Sequence, residues 1–175
     1  MNDLLLRRDA TLSGCGKYRY RLSRHWDDGR PEVTFIMLNP STADALVDDA
    51  TIRKCMGFAR RWDFGGIYVG NLFGFRATKP ADMLRAPDPV GPDNRDHLEW
   101  MCERAAKNGG RVICAWGANG TYMNQDETLL GWLDALVIAA ECLRLTPKSG
   151  APEHPLYVPY ETAPRPYQGR LRRAE

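Results

Sequence analysis

The sequence holds no apolar run near the roughly 20 residues that cross a bilayer, so no membrane span is expected. Leu4-Leu5-Leu6 runs directly into Arg7-Arg8-Asp9, too short for the apolar centre of a secretory signal. Cysteine is sparse: Cys15, Cys55, Cys102, Cys114 and Cys142 are odd in number and nowhere form Cys-x-x-Cys. That argues against a disulfide framework, a zinc ribbon and a cysteine-held iron–sulfur cluster, and for a reducing cytoplasm. The three histidines (His25, His97 and His154) are widely separated without further acid ligands, so neither a metal nor another cofactor is expected. Gly14-Cys15-Gly16-Lys17 lacks the flanking strand and spacing of a phosphate-binding loop, and no Gly-x-Ser-x-Gly elbow occurs. Neither sign of charge dominates: 24 basic against 22 acidic residues leave +2, which excludes neither nucleic acid nor a small molecule as partner.

What is present is a chain of 175 residues, enough for one domain and a sizeable core. Tyr18 to Leu22 alternates apolar and basic residues as a half-buried strand, and Val33 to Leu38 is a buried strand; the two are expected to pair as an N-terminal hairpin around Asp27-Asp28-Gly29-Arg30-Pro31. Thr51 opens a helix with Ile52, Cys55, Met56, Phe58, Ala59 and Trp62 on its apolar stripe, stopped by Gly65-Gly66. Ile67 to Leu72 is the next strand. A helix from Asp93 or Asn94 to Lys107 leads to a strand over Val112 to Trp116, and a helix near Gln125 to Ala135 leads to one over Glu141 to Leu145. The expected fold is a three-layer α/β/α sandwich around a mainly parallel four-stranded sheet. Residues 1–163 form the domain. Arg165, Arg170, Arg172 and Arg173, spaced by Pro164, Pro166 and Gly169, read as a flexible basic tail over 164–175.

Each core strand ends in a polar or glycine-bearing turn: Asn39-Pro40-Ser41-Thr42, Asn71, Trp116-Gly117-Ala118-Asn119-Gly120, and the segment leading to His154-Pro155. Ligands of open α/β sheets bind beyond the carboxyl ends of the strands, so Asn39 and His154 are expected at the mouth of one crevice. Plainer roles compete at every position. Asn39-Pro40 ends a strand, Asn71 suits a turn cap, and Asp48 and Asp49 suit the start of a helix. Arg76 suits a phosphate or bulk solvent equally, His97 suits a solvated helix face, and Trp62, Trp100 and Trp132 suit the core.

The order strand–Asn-Pro, strand–Asn, strand–Trp-Gly, then His-Pro-Leu resembles the uracil-DNA glycosylase superfamily. From Asn39-Pro40-Ser41-Thr42-Ala43-Asp44 through Asn71-Leu72-Phe73-Gly74-Phe75-Arg76-Ala77-Thr78 to His154-Pro155-Leu156-Tyr157, the chain more closely resembles domain of unknown function 1643, a bacterial and phage family without an assigned activity. The glycosylase resemblance implies that fold, hydrolysis of an N-glycosidic bond, and a nucleic-acid or nucleotide partner; a monomer is expected. It implies that Asn39 orients water, an amide being unable to take a proton, and that His154 donates to the departing base. It gives Asn71 the base edge, Leu156 or Tyr157 the gap left by a flipped base, and Ser41 or Ser149 a phosphate, with Pro40 beside them. The stacking aromatic stays open among Phe73, Phe75 and Trp116. The sequence departs from that superfamily in having Leu after His-Pro, and Asp44, Asp48 and Asp49, which would repel a DNA backbone. The alternative is a binding module for a base or nucleotide without turnover.

Overall fold

The computed structural model describes residues 6–42 and 47–169. Its strands are β1 (Arg7–Leu12), β2 (Arg19–His25), β3 (Glu32–Met37), β4 (Gly66–Asn71), β5 (Arg111–Cys114), β6 (Ala140–Cys142) and β7 (Arg165–Pro166). The helices are α1 (Ala50–Arg61), α2 (Pro80–Leu84), α3 (Asn94–Lys107) and α4 (Gln125–Ala135), with 3-10 turns at Ala118–Asn124 and Pro155–Tyr157. All seven strands join one sheet, ordered β1-β2-β4-β3-β5-β6-β7.

The four expected core strands form its parallel centre, β4-β3-β5-β6. Glu-Val-Thr-Phe-Ile-Met of β3 is buried along its whole length, as a strand covered on both faces must be. On one face α1 packs Ile52, Cys55, Phe58 and Ala59 with Val33, Phe35 and Val69. On the other, Leu98, Met101 and Cys102 of α3 and Leu129 and Leu133 of α4 pack with Ile36, Val112 and Cys114. The chain leaves β3 through α1 to reach β4 on one side, then returns through α3 to β5 on the other. The direction of winding therefore reverses between β3 and β5, which is where doubly wound sheets open a crevice.

The sheet departs from expectation at both edges. It has seven strands, not four, because short antiparallel strands close each side of the parallel centre. The hairpin is β1 with β2; β2 also pairs antiparallel with β4, which separates it from β3. The physical reason lies in the two strands' faces. β3, buried at every residue, takes the centre between β4 and β5, whereas β2, with Arg21 and His25 only partly buried, lies nearer the rim. At the other edge, residues of the expected loose tail are ordered: Arg165–Pro166 pairs with β6, and Tyr167 is 5% exposed. Residues 170–175 lie outside the described residues. The fourth core strand is also shorter than expected, its ladder ending at Cys142.

Helix α1 begins where Asp49 accepts a hydrogen bond from the Ile52 N–H at 2.8 Å, an N-cap. It ends at Arg61, ahead of the glycine pair, with Asp63 in the left-handed region at φ 66°. Trp100, expected in the core, is 42% exposed; the Arg21 guanidinium lies over its ring at 4.3 Å. His97 is half-buried and stacks on Tyr20 with centroids 4.9 Å apart.

Candidate functional site

Beyond the carboxyl ends of β3 and β4 lies a cavity of about 290 Å³. Asn39, Pro40, Ser41, Asn71, Trp116 and His154 line it, six of the nine residues singled out from the sequence. Four separate stretches of chain supply these six residues, Trp116 coming from just after β5. The turn after β3 supplies Asn39 to Ser41, the end of β4 supplies Asn71, and the 3-10 turn at Pro155–Tyr157 carries His154 as its N-cap. That last segment is fastened to α1 at a glycine. A Cβ on Gly57 would lie 2.4 Å from the Tyr160 hydroxyl, so the ring seats directly on the helix backbone. Lys54 and Arg61 flank the same ring, each 3.8 Å from its centroid.

Each polar side chain presents a defined group. The Asn39 amide nitrogen donates to the Ala77 carbonyl at 2.9 Å and the Pro40 carbonyl at 3.2 Å. Both amide hydrogens being engaged, its Oδ1 is the acceptor left for a ligand or water. Asn71 is 3% exposed, and its buried Oδ1 has no hydrogen-bond partner among the described residues. His154 Nδ1 accepts the Leu156 N–H at 3.4 Å, which assigns the proton of the neutral ring to Nε2. Burial lowers the His154 pKa below its ordinary 6.5, with Asp49 pulling the other way. At neutral pH the imidazole is thus an uncharged Nε2–H donor.

The cavity also holds Arg19 and Thr51, which no motif marked as site residues, and Tyr157, the alternative to Leu156, with Asp49 lining it as well as capping α1. Arg19 is 6% exposed. Because β2 runs antiparallel to β4, its first residue lies beside the last of β4; the Arg19 N–H donates to the Gly74 carbonyl at 2.9 Å. Burial, then the like charge of Arg76, lowers the Arg19 pKa to about 10, opposed by Asp49. Only the sheet order brings Arg19 here, so no local motif marked it.

Three expected site residues do not line the cavity. Phe73 is fully buried against Tyr122, with centroids 5.7 Å apart. Arg76 donates to the Gly16 and Thr42 carbonyls, each at 3.0 Å, and so clamps loops together. Leu156 is 41% exposed, and its neighbour Tyr157 takes the rim position. Ser149 pairs with the Thr146 hydroxyl at 2.6 Å within a turn, and Phe75 packs edge-on against Tyr18. Of the three candidate aromatics, Trp116 faces the cavity. A Cβ on Gly120 would lie 2.1 Å from Trp116 Cδ1, and Tyr167 meets the indole edge-on at 5.8 Å.

The acid stretch has internal partners. Asp48 pairs with fully buried Arg24 at 2.6 Å and with Arg8 at 3.6 Å; Asp44 lies outside the described residues. A larger hollow, about 380 Å³, lies between α4 and β7. Its polar side chains are Asp134, Tyr167 and Gln168, and no candidate site residue from the sequence reaches it. Among the described residues no cluster of His, Cys, Asp or Glu could hold a metal ion, and no helix is long and apolar enough to cross a membrane.

A doubly wound α/β protein with a cavity of mixed polar and apolar lining at its switch region is the class that fold and site define. Within that class, the family described as Protein of unknown function (DUF1643) matches residues 19–156, and the chain belongs to it. No curated protein and no solved structure matches the chain. The glycosylase resemblance therefore rests on motif order.

Proposed function

We propose that the cavity binds a nucleobase-bearing ligand and hydrolyses its N-glycosidic bond. The observation that supports this reading is that Asn39 and His154, from opposite ends of the chain, line one cavity. Its volume of about 290 Å³ sits at the lower end of small-molecule sites, roughly 300–1,000 Å³. In the proposed reaction Asn39 Oδ1 accepts a hydrogen bond from a water aimed at the anomeric carbon. The water oxygen bonds to that carbon as the C–N bond breaks, and its electron pair leaves with the base. Negative charge grows on the base oxygen, where the neutral His154 Nε2–H donates. The Asp49 carboxylate, which lines the same cavity, receives the proton that water sheds, a step Asn39 cannot perform.

A second reading, binding without turnover, draws support from the Asn39 amide itself, whose two donors serve backbone carbonyls. Base release discriminates the two. Single- and double-stranded oligonucleotides carrying uracil, hypoxanthine, xanthine or T·G mismatches are incubated with wild type, Asn39→Ala and His154→Ala, alongside free nucleosides and nucleotides. Hydrolysis is expected with wild type and a fall of about 10²-fold or more in each variant. Binding without release by folded wild type would select the second reading.

A further inference from the structure

We propose that Arg19 is the anchor of an anion site inside the cavity, and that the ligand is a small free molecule carrying a phosphate, of the nucleoside 5′-monophosphate class, in place of a base within a nucleic-acid strand. The nucleobase half of this statement rests on the function proposed above; the anion half does not.

A guanidinium carries five donors and stays charged, so a buried one is ordinarily held by a carboxylate or carbonyls. Arg24, one residue along on the same pleated strand from Ser23, follows that rule: it donates to Asp48 and to the Ser23 carbonyl. Arg19 does not. It is 94% buried on the same strand, yet its side chain makes no hydrogen bond or ion pair among the described residues. It lines the cavity instead. The charges that act on it are Arg76 and Arg24, both repulsive, and the single carboxylate of Asp49, which already caps α1. The N-terminal end of α1, contributing Thr51 and Ile52 to the wall, adds its positive dipole end. A guanidinium almost wholly buried, without a protein partner among the described residues, and lining an open cavity is completed by an anion that enters it.

The position selects the source of that anion. When a strand delivers a base to a pocket, its phosphates stay on the protein surface. Arg19 is 94% buried in the cavity wall, a place that suits a free monophosphate or other small anion better than a phosphodiester held at the surface between neighbouring nucleotides. The unpartnered Oδ1 of Asn71 on the adjacent strand supplies a neighbouring acceptor for the ring or hydroxyl portion.

The test is calorimetric titration and thermal melting of wild type, Arg19→Met and Arg19→Lys with inorganic phosphate, the common nucleosides, their 5′-monophosphates, and a short single-stranded oligonucleotide. Each monophosphate that binds is expected to bind at least tenfold tighter than its nucleoside. Inorganic phosphate should raise the melting temperature of wild type. Arg19→Met should abolish both effects while melting higher than wild type when empty, because an unpaired buried charge is gone. Arg19→Lys should keep part of the phosphate effect. Equal binding of nucleoside and monophosphate, retention of the difference in Arg19→Met, or an Arg19→Met protein that fails to fold would each overturn the anion site. Tighter binding of the oligonucleotide than of any monophosphate would overturn the small-molecule ligand. An Arg19-dependent phosphate effect with no nucleoside or nucleotide preference would sustain the anion site and sink the nucleobase reading.

Discussion

At the scale of single residues, the site depends on which face of each polar group is already engaged. Asn39 differs from Asp in more than basicity. Its amide nitrogen donates to two backbone carbonyls, and a carboxylate there would set oxygen against oxygen. Asn39→Asp should therefore cost about 1–3 kcal/mol of stability at pH 7. Urea unfolding should show that loss shrinking as the pH falls and the new carboxyl regains a hydrogen. His154 gives a pH dependence of known sign. Its folded pKa is lowered from 6.5, so between that lowered value and 6.5 the unfolded chain binds the proton and the folded chain does not. Its contribution is complete above about pH 6.5 and is lost as the pH falls through the window below. His25 and His97 are shifted the same way, each chiefly by burial. Melting temperatures between pH 7.5 and 5 should fall in wild type and fall less in His154→Gln, without the slope disappearing.

At the scale of elements, helix α1 carries the site as much as the strands do. Its N-cap Asp49 lines the cavity, and its middle seats Tyr160, which fixes the segment bearing His154. Gly57→Ala is a sharp test because two effects oppose. Helix propensity alone predicts a gain of about 1 kcal/mol. The added Cβ would lie 2.4 Å from the Tyr160 hydroxyl and 2.7 Å from its ring, displacing an aromatic held by Phe58, Lys54 and Arg61. Overpacking of this kind costs about 1–3 kcal/mol, so the variant should melt below wild type. Changed ligand binding should accompany it, since Tyr157 and His154 lie in the same short segment. A higher melting temperature would show that Tyr160 moves aside freely.

At the scale of the whole molecule, the sheet edges tie the chain ends to the site. Tyr167, just after β7, is 5% exposed and packs against Trp116, which lines the cavity. Removing residues 164–175 should accordingly lose at least about 3 kcal/mol, the usual cost of deleting one buried large aromatic, and weaken ligand binding as well. Chemical unfolding of the truncated chain, beside a chain ending after Gly169, separates the ordered part from the rest. Equal stability of wild type and the chain lacking 164–175 would refute this role for β7 and Tyr167.

The sequence by itself determined the parallel centre and much of the cavity wall. An uninterrupted apolar run such as Val33 to Leu38 can be buried on both faces only inside a parallel sheet. Such strands end where polar turn residues begin, which put Asn39, Asn71 and Trp116 at one rim. The apolar stripe of α1 and the extent of α4 were legible for the same local reason, a period of 3.6 residues. The tertiary structure alone decided the edges and the charge of the site. Arg-Arg-Asp-Ala-Thr-Leu of β1 and Arg-Pro of β7 carry no apolar alternation and become strands only because an open ladder waits beside them. Leu156 stands one position from Tyr157, which does line the cavity, and neighbours along a chain commonly face opposite ways. Arg19 reaches the cavity because β2 runs antiparallel to β4, a pairing between residues about fifty apart that no local pattern encodes.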